Sequence, residues 1–516
     1  MKRLLLLALL LACSPSSSSN PGDAGDEDET PPGPWLTPLD PNPRGPFPSG
    51  FLFGSSTSAY QIEGGLNGIT DFGLWATADG GAAIANGDNA DDGPQSRQHD
   101  SDDVAALVAS HQNAYRFGIE WARLFPTAQA WSACRTAGTL QGCEAAADAT
   151  ELAYYKDLLA QLGAHGITPM VTLWHSTFPT YIDDAGVDWH TTGWMSPTIT
   201  DDMAAWAGFA AGEFGASVKW WLTLNEPFIA IQGDYIDGSG PPGQVDNLDA
   251  LKAALNAMIR AHVAMYDAIH AAEPGAMVSI TQDVHLYYGE TPGRPEDDQS
   301  AKEFSYLSNA VFLNAIIDGD VDLDLNGTID TGEPSKDPAY AGRADYIGLN
   351  YYGFSIVRGY PGFPLVDGVA LSDSADHGLP KNDLGWDIYP RGLGEALDFC
   401  AGYHLPIVVT ENGLADATDA NRPRFVAEHL AELAAKIAAG VDVRGYFHWA
   451  TIDNFEWSSG FCPRFGLFGV DYTDPARPRT ARPSASVYRQ IIDENQVSDA
   501  LLSAQPAYSV TAKCAQ

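Results

Sequence analysis

Cations are scarce in this chain. Its 516 residues include 28 Lys and Arg against 67 Asp and Glu, a formal net charge of -39 at pH 7. Such a surface repels polyanions, which excludes nucleic acid as the natural partner. Cysteine is sparse too, with six residues, and none of their spacings matches a zinc site. No GxGxxG follows a strand-like run, which argues against a nicotinamide-dependent route. The one unbroken apolar stretch, in MKRLLLLALLLAC, is too short to span a bilayer as a mature helix.

That stretch reads instead as an export signal, with Lys2 and Arg3 ahead of the apolar run. Leu10, Leu11 and Ala12 directly before Cys13 resemble a bacterial lipobox, which would make Cys13 the lipidated first residue of the mature protein. The expectation is an exported protein, lipid-anchored to a bacterial membrane and facing the periplasm or the exterior; ordinary secretion is the alternative. Residues 14–48 are Ser, Pro, Gly, Asp and Glu with almost no aliphatics, and read as a disordered acidic linker. Cys134 and Cys143 flank a short Gly-containing loop, so a small disulfide is expected there in an oxidising compartment. Cys400, Cys462 and Cys514 cannot be paired from sequence.

Eight apolar runs recur along the rest of the chain: Phe51 to Gly54, Asn113 to Ile119, Ile167 to Leu173, Lys219 to Leu224, Met277 to Gln282, Asp345 to Leu349, Pro406 to Thr410 and Val443 to Trp449. Stretches of helical periodicity, such as Leu152 to His165 and Arg424 to Gly440, lie between them. Eight strands alternating with helices predict an α/β fold, a (β/α)8 barrel of parallel strands forming a single catalytic domain over 49–495, with 496–516 as a C-terminal tail.

The unusual polar residues fall where strands end, at the rim where barrels of this kind build their sites. WWLTLNEPF (220–228) delivers Glu226 after the fourth strand, and PIVVTENGL (406–414) delivers Glu411 at the end of the seventh. Two carboxylates on one face suit glycosidic bond cleavage, in which one protonates the departing oxygen while the other captures the oxocarbenium-like carbon.

These residues resemble glycoside hydrolase family 1, from about Phe51 to Gln490. The resemblance is carried by FLFGSSTSAYQIEG (51–64), YRFGIEWARLFP (115–126), TLNEP (223–227), IGLNYYG (347–353), TENG (410–413) and GYFHWATIDNFEWSSG (445–460). It implies a (β/α)8 TIM barrel and a retaining, exo-acting β-glycosidase. Glu226 is then the acid/base and Glu411 the nucleophile, supported by Arg116, Asn225 and Tyr352. It further implies a substrate pocket formed by Gln61, His175, Asn225, Trp386, Trp449, Glu456, Trp457 and Phe465. Retention of the acid at Glu456, where members acting on 6-phosphorylated sugars carry a smaller residue, implies an unphosphorylated glycone, a glucoside first and a galactoside or fucoside as alternatives. A transglycosylase and a catalytically silent sugar-binding surface lipoprotein are the rivals. The chain departs from the family pattern at Ser176, which replaces an aromatic after the third-strand histidine, and at Ala450, where Ser is usual.

Between the fifth and sixth strands lies DLDLNGTIDTGE (322–333). Asp322, Asp324, Asn326, Thr328, Asp330 and Glu333 occupy the ligand positions of an EF-hand loop, and Gly327 the sharp turn. One structural Ca2+ is expected there; catalysis itself calls for no cofactor.

Overall fold

Eight strands pair in parallel and close on themselves in the computed structural model of the chain, which describes residue 39 and residues 44–183, 190–359, 368–370, 378–509 and 514. They are β1 (Leu52–Ser56), β2 (Ala114–Gly118), β3 (Thr168–Thr172), β4 (Trp220–Asn225), β5 (Met277–Asp283), β6 (Ile347–Asn350), β7 (Ile407–Gly413) and β8 (Val443–Trp449). Closure comes from pairing the first strand with the last, Leu52 opposite Gly445 through Ser56 opposite Trp449. The barrel and its strands agree with the sequence expectation to within a few residues at each end.

The base of the barrel is filled rather than hollow. Leu52, Ala114, Met170, Leu222, Tyr346, Val408 and Phe447 form one buried cluster inside it, the layered packing that parallel barrels need. Gly54 is required by that packing, since a Cβ there would stand 2.6 Å from the Phe447 ring and 2.8 Å from the Ala114 carbonyl oxygen. Outside, helices cover the sheet with their apolar faces. Asp148 starts the helix Ala149–Ala164 by accepting from the amides of Thr150 (2.9 Å) and Glu151 (3.2 Å), and Asn247 does the same for Leu248–Ala272.

Four features differ from the sequence reading or add to it. Residues 44–48 read as linker by composition, yet Phe47 is buried and packs on Phe51 and Phe53; one large aromatic ring supplies the apolar area its polar neighbours lack. The segment after 495, read as a tail, contains the helix Asp499–Ala504 with Val497 and Leu501 buried, because these two side chains find apolar partners on the domain. Cys134 and Cys143 are bridged as expected, and Cys462 joins Cys514, leaving Cys400 buried and free. A small sheet of Leu286–Gly289, Phe354–Gly359 and Gly368–Ala370 stands apart from the barrel. The export signal, Cys13 and nearly all of the linker lie outside the described residues.

Candidate active site

Both candidate carboxylates sit where the barrel's regularity breaks. The pairing of β4 with β5 slips between Leu222 and Asn225, and β7 slips near Glu411 against both neighbours; such irregularities re-aim side chains at a rim. Glu226 itself is left-handed (φ 45°, ψ 60°) and caps the helix Pro227–Tyr235. A non-glycine residue in this region carries strain of about 1–3 kcal/mol, which the surroundings must over-determine. They do: the Glu226 amide donates to the Thr281 carbonyl of β5 (2.8 Å), and Asn350 Nδ2, at the end of β6, donates to Glu226 Oε1 (2.6 Å).

Arg116, fully buried on β2, connects the two carboxylates' surroundings. Its guanidinium pairs with Glu411 Oε1 and donates to Asn225 Oδ1 (2.6 Å) and Thr172 Oγ1 (3.0 Å). The second oxygen of Glu411 accepts from the Tyr352 hydroxyl (2.8 Å). With Asn225 Oδ1 taken by Arg116, its Nδ2 faces His175 Nε2 (3.1 Å), so that nitrogen accepts and the proton lies on Nδ1, which has no partner among the described residues. Burial, with Arg116 nearby, keeps His175 neutral by lowering its pKa well below the usual imidazole value. Glu226 is the reverse case: burial first, then the charges of Glu411 and Asp283, raise its pKa well above the usual carboxylate value. One carboxylate is paired with a cation and the other lies where burial and neighbouring carboxylates favour its protonated form, the division of labour that acid/base and nucleophile require.

The remaining predicted pocket residues converge on the same rim. Trp449 Nε1 donates to Glu456 Oε1 (3.2 Å) and Gln61 Nε2 lies 3.4 Å from Glu456 Oε2. Burial pushes Glu456 up to about 8. Trp457 stacks between Tyr60 and His175, each at 5.8 Å. Trp386 and Phe465 meet the Tyr352 ring edge-on at 6.1 and 6.3 Å, so the structure groups all eight predicted sugar-pocket residues around the two candidate carboxylates. Ser176 adopts φ 61°, beside His175. Sequence reasoning missed two groups here: Asn350, two residues before Tyr352 in IGLNYYG, and Asp283, whose position at the end of β5 was the available signal.

The acidic loop also folds as its spacing suggests. Oxygens of Asp322, Asp324 and Glu333 lie within 4.8 Å of one another. Asp322, buried, accepts from the Gly327 amide (2.8 Å), the Asn326 amide (3.2 Å) and the Tyr306 hydroxyl (2.9 Å). Asn326 Nδ2 ties in Asp330 (2.9 Å), and Gly327 is left-handed (φ 86°). Among the described residues no Lys or Arg pairs with Asp322, Asp324, Asp330 or Glu333; the nearby Lys336 pairs with Asp318 and Asp320.

Comparison with known proteins agrees with this geometry. The family model described as glycosyl hydrolase family 1 matches residues 43–497. A β-galactosidase of Pyrococcus woesei is 29% identical over 506 residues, covering 88% of this chain and 98% of its own. Beta-glucosidase A of Thermotoga maritima is 29% identical over 478 residues, covering 88% and 99%. A solved β-glucosidase from Thermotoga maritima in complex with glucoimidazole superposes with a TM-score of 0.76 at 26% identity, covering 88% of this chain and 99% of the other.

Proposed function

The chain belongs to glycosyl hydrolase family 1 and is a β-glycosidase; from that premise we propose that it hydrolyses terminal, unphosphorylated β-D-glucosyl residues with retention of configuration. The observation that carries this reading is the contrast between the two carboxylates, Glu411 paired with Arg116 and Tyr352, Glu226 bound by the neutral Asn350 with no cation on it among the described residues, where burial favours its protonated form. In the first step a Glu411 oxygen bonds to the anomeric carbon as the C–O bond to the leaving group breaks, and the Glu226 proton passes to the departing oxygen. In the second, water attacks the same carbon, Glu226 takes its proton, and Glu411 is released as a carboxylate.

Asn225, fixed by Arg116, faces the sugar 2-hydroxyl, a contact that strengthens in the transition state. Gln61, His175, Trp449, Glu456 and Trp457 hold the glycone; Trp386 and Phe465 flank the leaving group. Members of this family need no cofactor for catalysis. The loop 322–333 holds a structural Ca2+ through Asp322, Asp324, Asn326, the Thr328 carbonyl, Asp330 and Glu333: hard oxygen donors with uncompensated charge suit a hard cation. The protein acts outside the cytoplasm, tethered through Cys13; its two disulfides support an oxidising compartment.

The decisive measurement is turnover of p-nitrophenyl β-glucoside, β-galactoside and β-fucoside by wild type and by Glu411→Ala. The expected result is a preference for the glucoside, loss of turnover in the variant, and its restoration by azide with inverted product. No wild-type turnover of any of the three sinks the proposal, and faster galactoside turnover reassigns the glycone.

A further inference from the structure

The site holds a third carboxylate that the two-residue mechanism leaves unused. Asp283 is the last residue of β5, the strand beside the one that delivers Glu226. Thr281 of β5 lies opposite Asn225 and accepts from the Glu226 amide, while Asp283 lies opposite Asn350, the residue whose Nδ2 binds Glu226. Side-chain alternation decides where Asp283 points. Gln282 faces the helix layer, bonding the Ser308 carbonyl (2.8 Å), so its neighbour faces the barrel axis. Asp283 is 7% exposed, and its carboxylate meets no donor and no cation among the described residues.

We propose that Asp283 is a positioning residue of the catalytic centre, whose negative charge, set on the adjacent strand, holds the proton on Glu226 until the leaving group takes it. The inference rests on Glu226 being the acid/base. The other groups facing Glu226 do not supply this charge freely. Glu411 on β7 is paired with Arg116 on β2, and it loses its charge once the covalent intermediate forms. Asn350, the last residue of β6, and Tyr352 just beyond it are neutral donors, the latter bound to Glu411. His175 after β3 is neutral. Asp283 takes part in neither bond-making step. Burial and then the Glu411 charge raise Asp283 to about 7, so the charge it sets beside Glu226 is present on the alkaline side of neutrality, where Glu226 must still hold its proton.

The test is the pH profile of kcat/KM on an aryl β-glycoside that the wild type turns over, for wild type, Asp283→Asn, Asp283→Ser and Glu226→Ala. Both Asp283 variants are expected to move the alkaline limb down by about one pH unit, leaving the acidic limb in place. Glu226→Ala is expected to lose the alkaline limb. If the Asp283 variants lower kcat/KM equally at every pH, or leave both limbs unmoved while Glu226→Ala abolishes the alkaline one, Asp283 has no such role. If Glu226→Ala keeps the wild-type alkaline limb, the acid/base assignment fails first and the proposal falls with it.

Discussion

Arg116→Met isolates the price of stranding a buried charge. The side chain is 0% exposed, and removing its guanidinium leaves Glu411 with Tyr352 alone while taking donors from Asn225 and Thr172. Breaking a buried pair from one side costs about 3–5 kcal/mol. At about 2.1 cal/mol/K per residue over roughly 450 ordered residues, the unfolding entropy near Tm is about 0.9 kcal/mol/K, so the expected drop is about 3–5 °C. Removing the partner's charge as well, in Arg116→Met with Glu411→Gln, should leave only the lost neutral bonds, about 1 kcal/mol each. The double variant is therefore expected to regain about half of the loss in stability, with no return of activity. Scanning fluorimetry on the two single variants and the double one closes the cycle. A double variant no more stable than Arg116→Met refutes the reasoning and moves the energetic weight from the ion pair to the bonds with Asn225 and Thr172.

Stability should fall as pH rises across neutrality. Burial raises Glu120 and Asp283 to about 7 and Glu456 to about 8; the folded protein thus binds more protons than the unfolded chain, and stability present below about pH 4.5 is lost as pH climbs through 7 and 8. A higher Tm at pH 5.5 than at 8.5 is expected, and a Tm rising over that interval contradicts it. For the 322–333 loop, calcium at about 100 times its dissociation constant adds about 2.7 kcal/mol, about 3 °C after EDTA treatment, and Glu333→Gln should abolish the gain; an unmoved wild-type Tm counts against the site. The two disulfides close loops of unequal size, with sequence separations of 52 and 9, so Cys514→Ser should cost about 4 kcal/mol and Cys143→Ser about 3; equal or reversed drops in Tm would show that loop closure does not set their worth.

The parts of the molecule legible in its sequence are those whose signal is local. A strand ending in Asn-Glu-Pro or Thr-Glu-Asn-Gly advertises its own rim residue, and the twelve-residue acidic loop specifies its turn and gathers its oxygens within one stretch. What escaped notice depends on register between distant segments. Asp283 gains meaning only when β5 is laid beside β4 and β6, which brings it into line with Asn350. Cys462 and Cys514 are neighbours only because the segment after the last barrel strand and the C-terminal region come to the same rim. Phe47 was masked by polar neighbours, since window composition dilutes one aromatic ring that the fold uses fully.

The pairing of first and last strands also sets where the domain can be held. Chain enters at the closed base, where Phe47 donates to the Asn495 carbonyl (3.1 Å), Val497 donates to the Arg44 carbonyl (2.9 Å) and Arg44 pairs with Asp499. Cys514, by contrast, is at the mouth, its amide on the Asp383 carbonyl (3.1 Å), in the cluster that contains Trp386, Phe465 and Trp449. An attachment made ahead of residue 44 would therefore pull from the floor and leave the opening turned away from it. Cargo or a solid support attached beyond residue 516 would instead crowd the doorway, so an immobilised form of this enzyme should be fastened by its amino end.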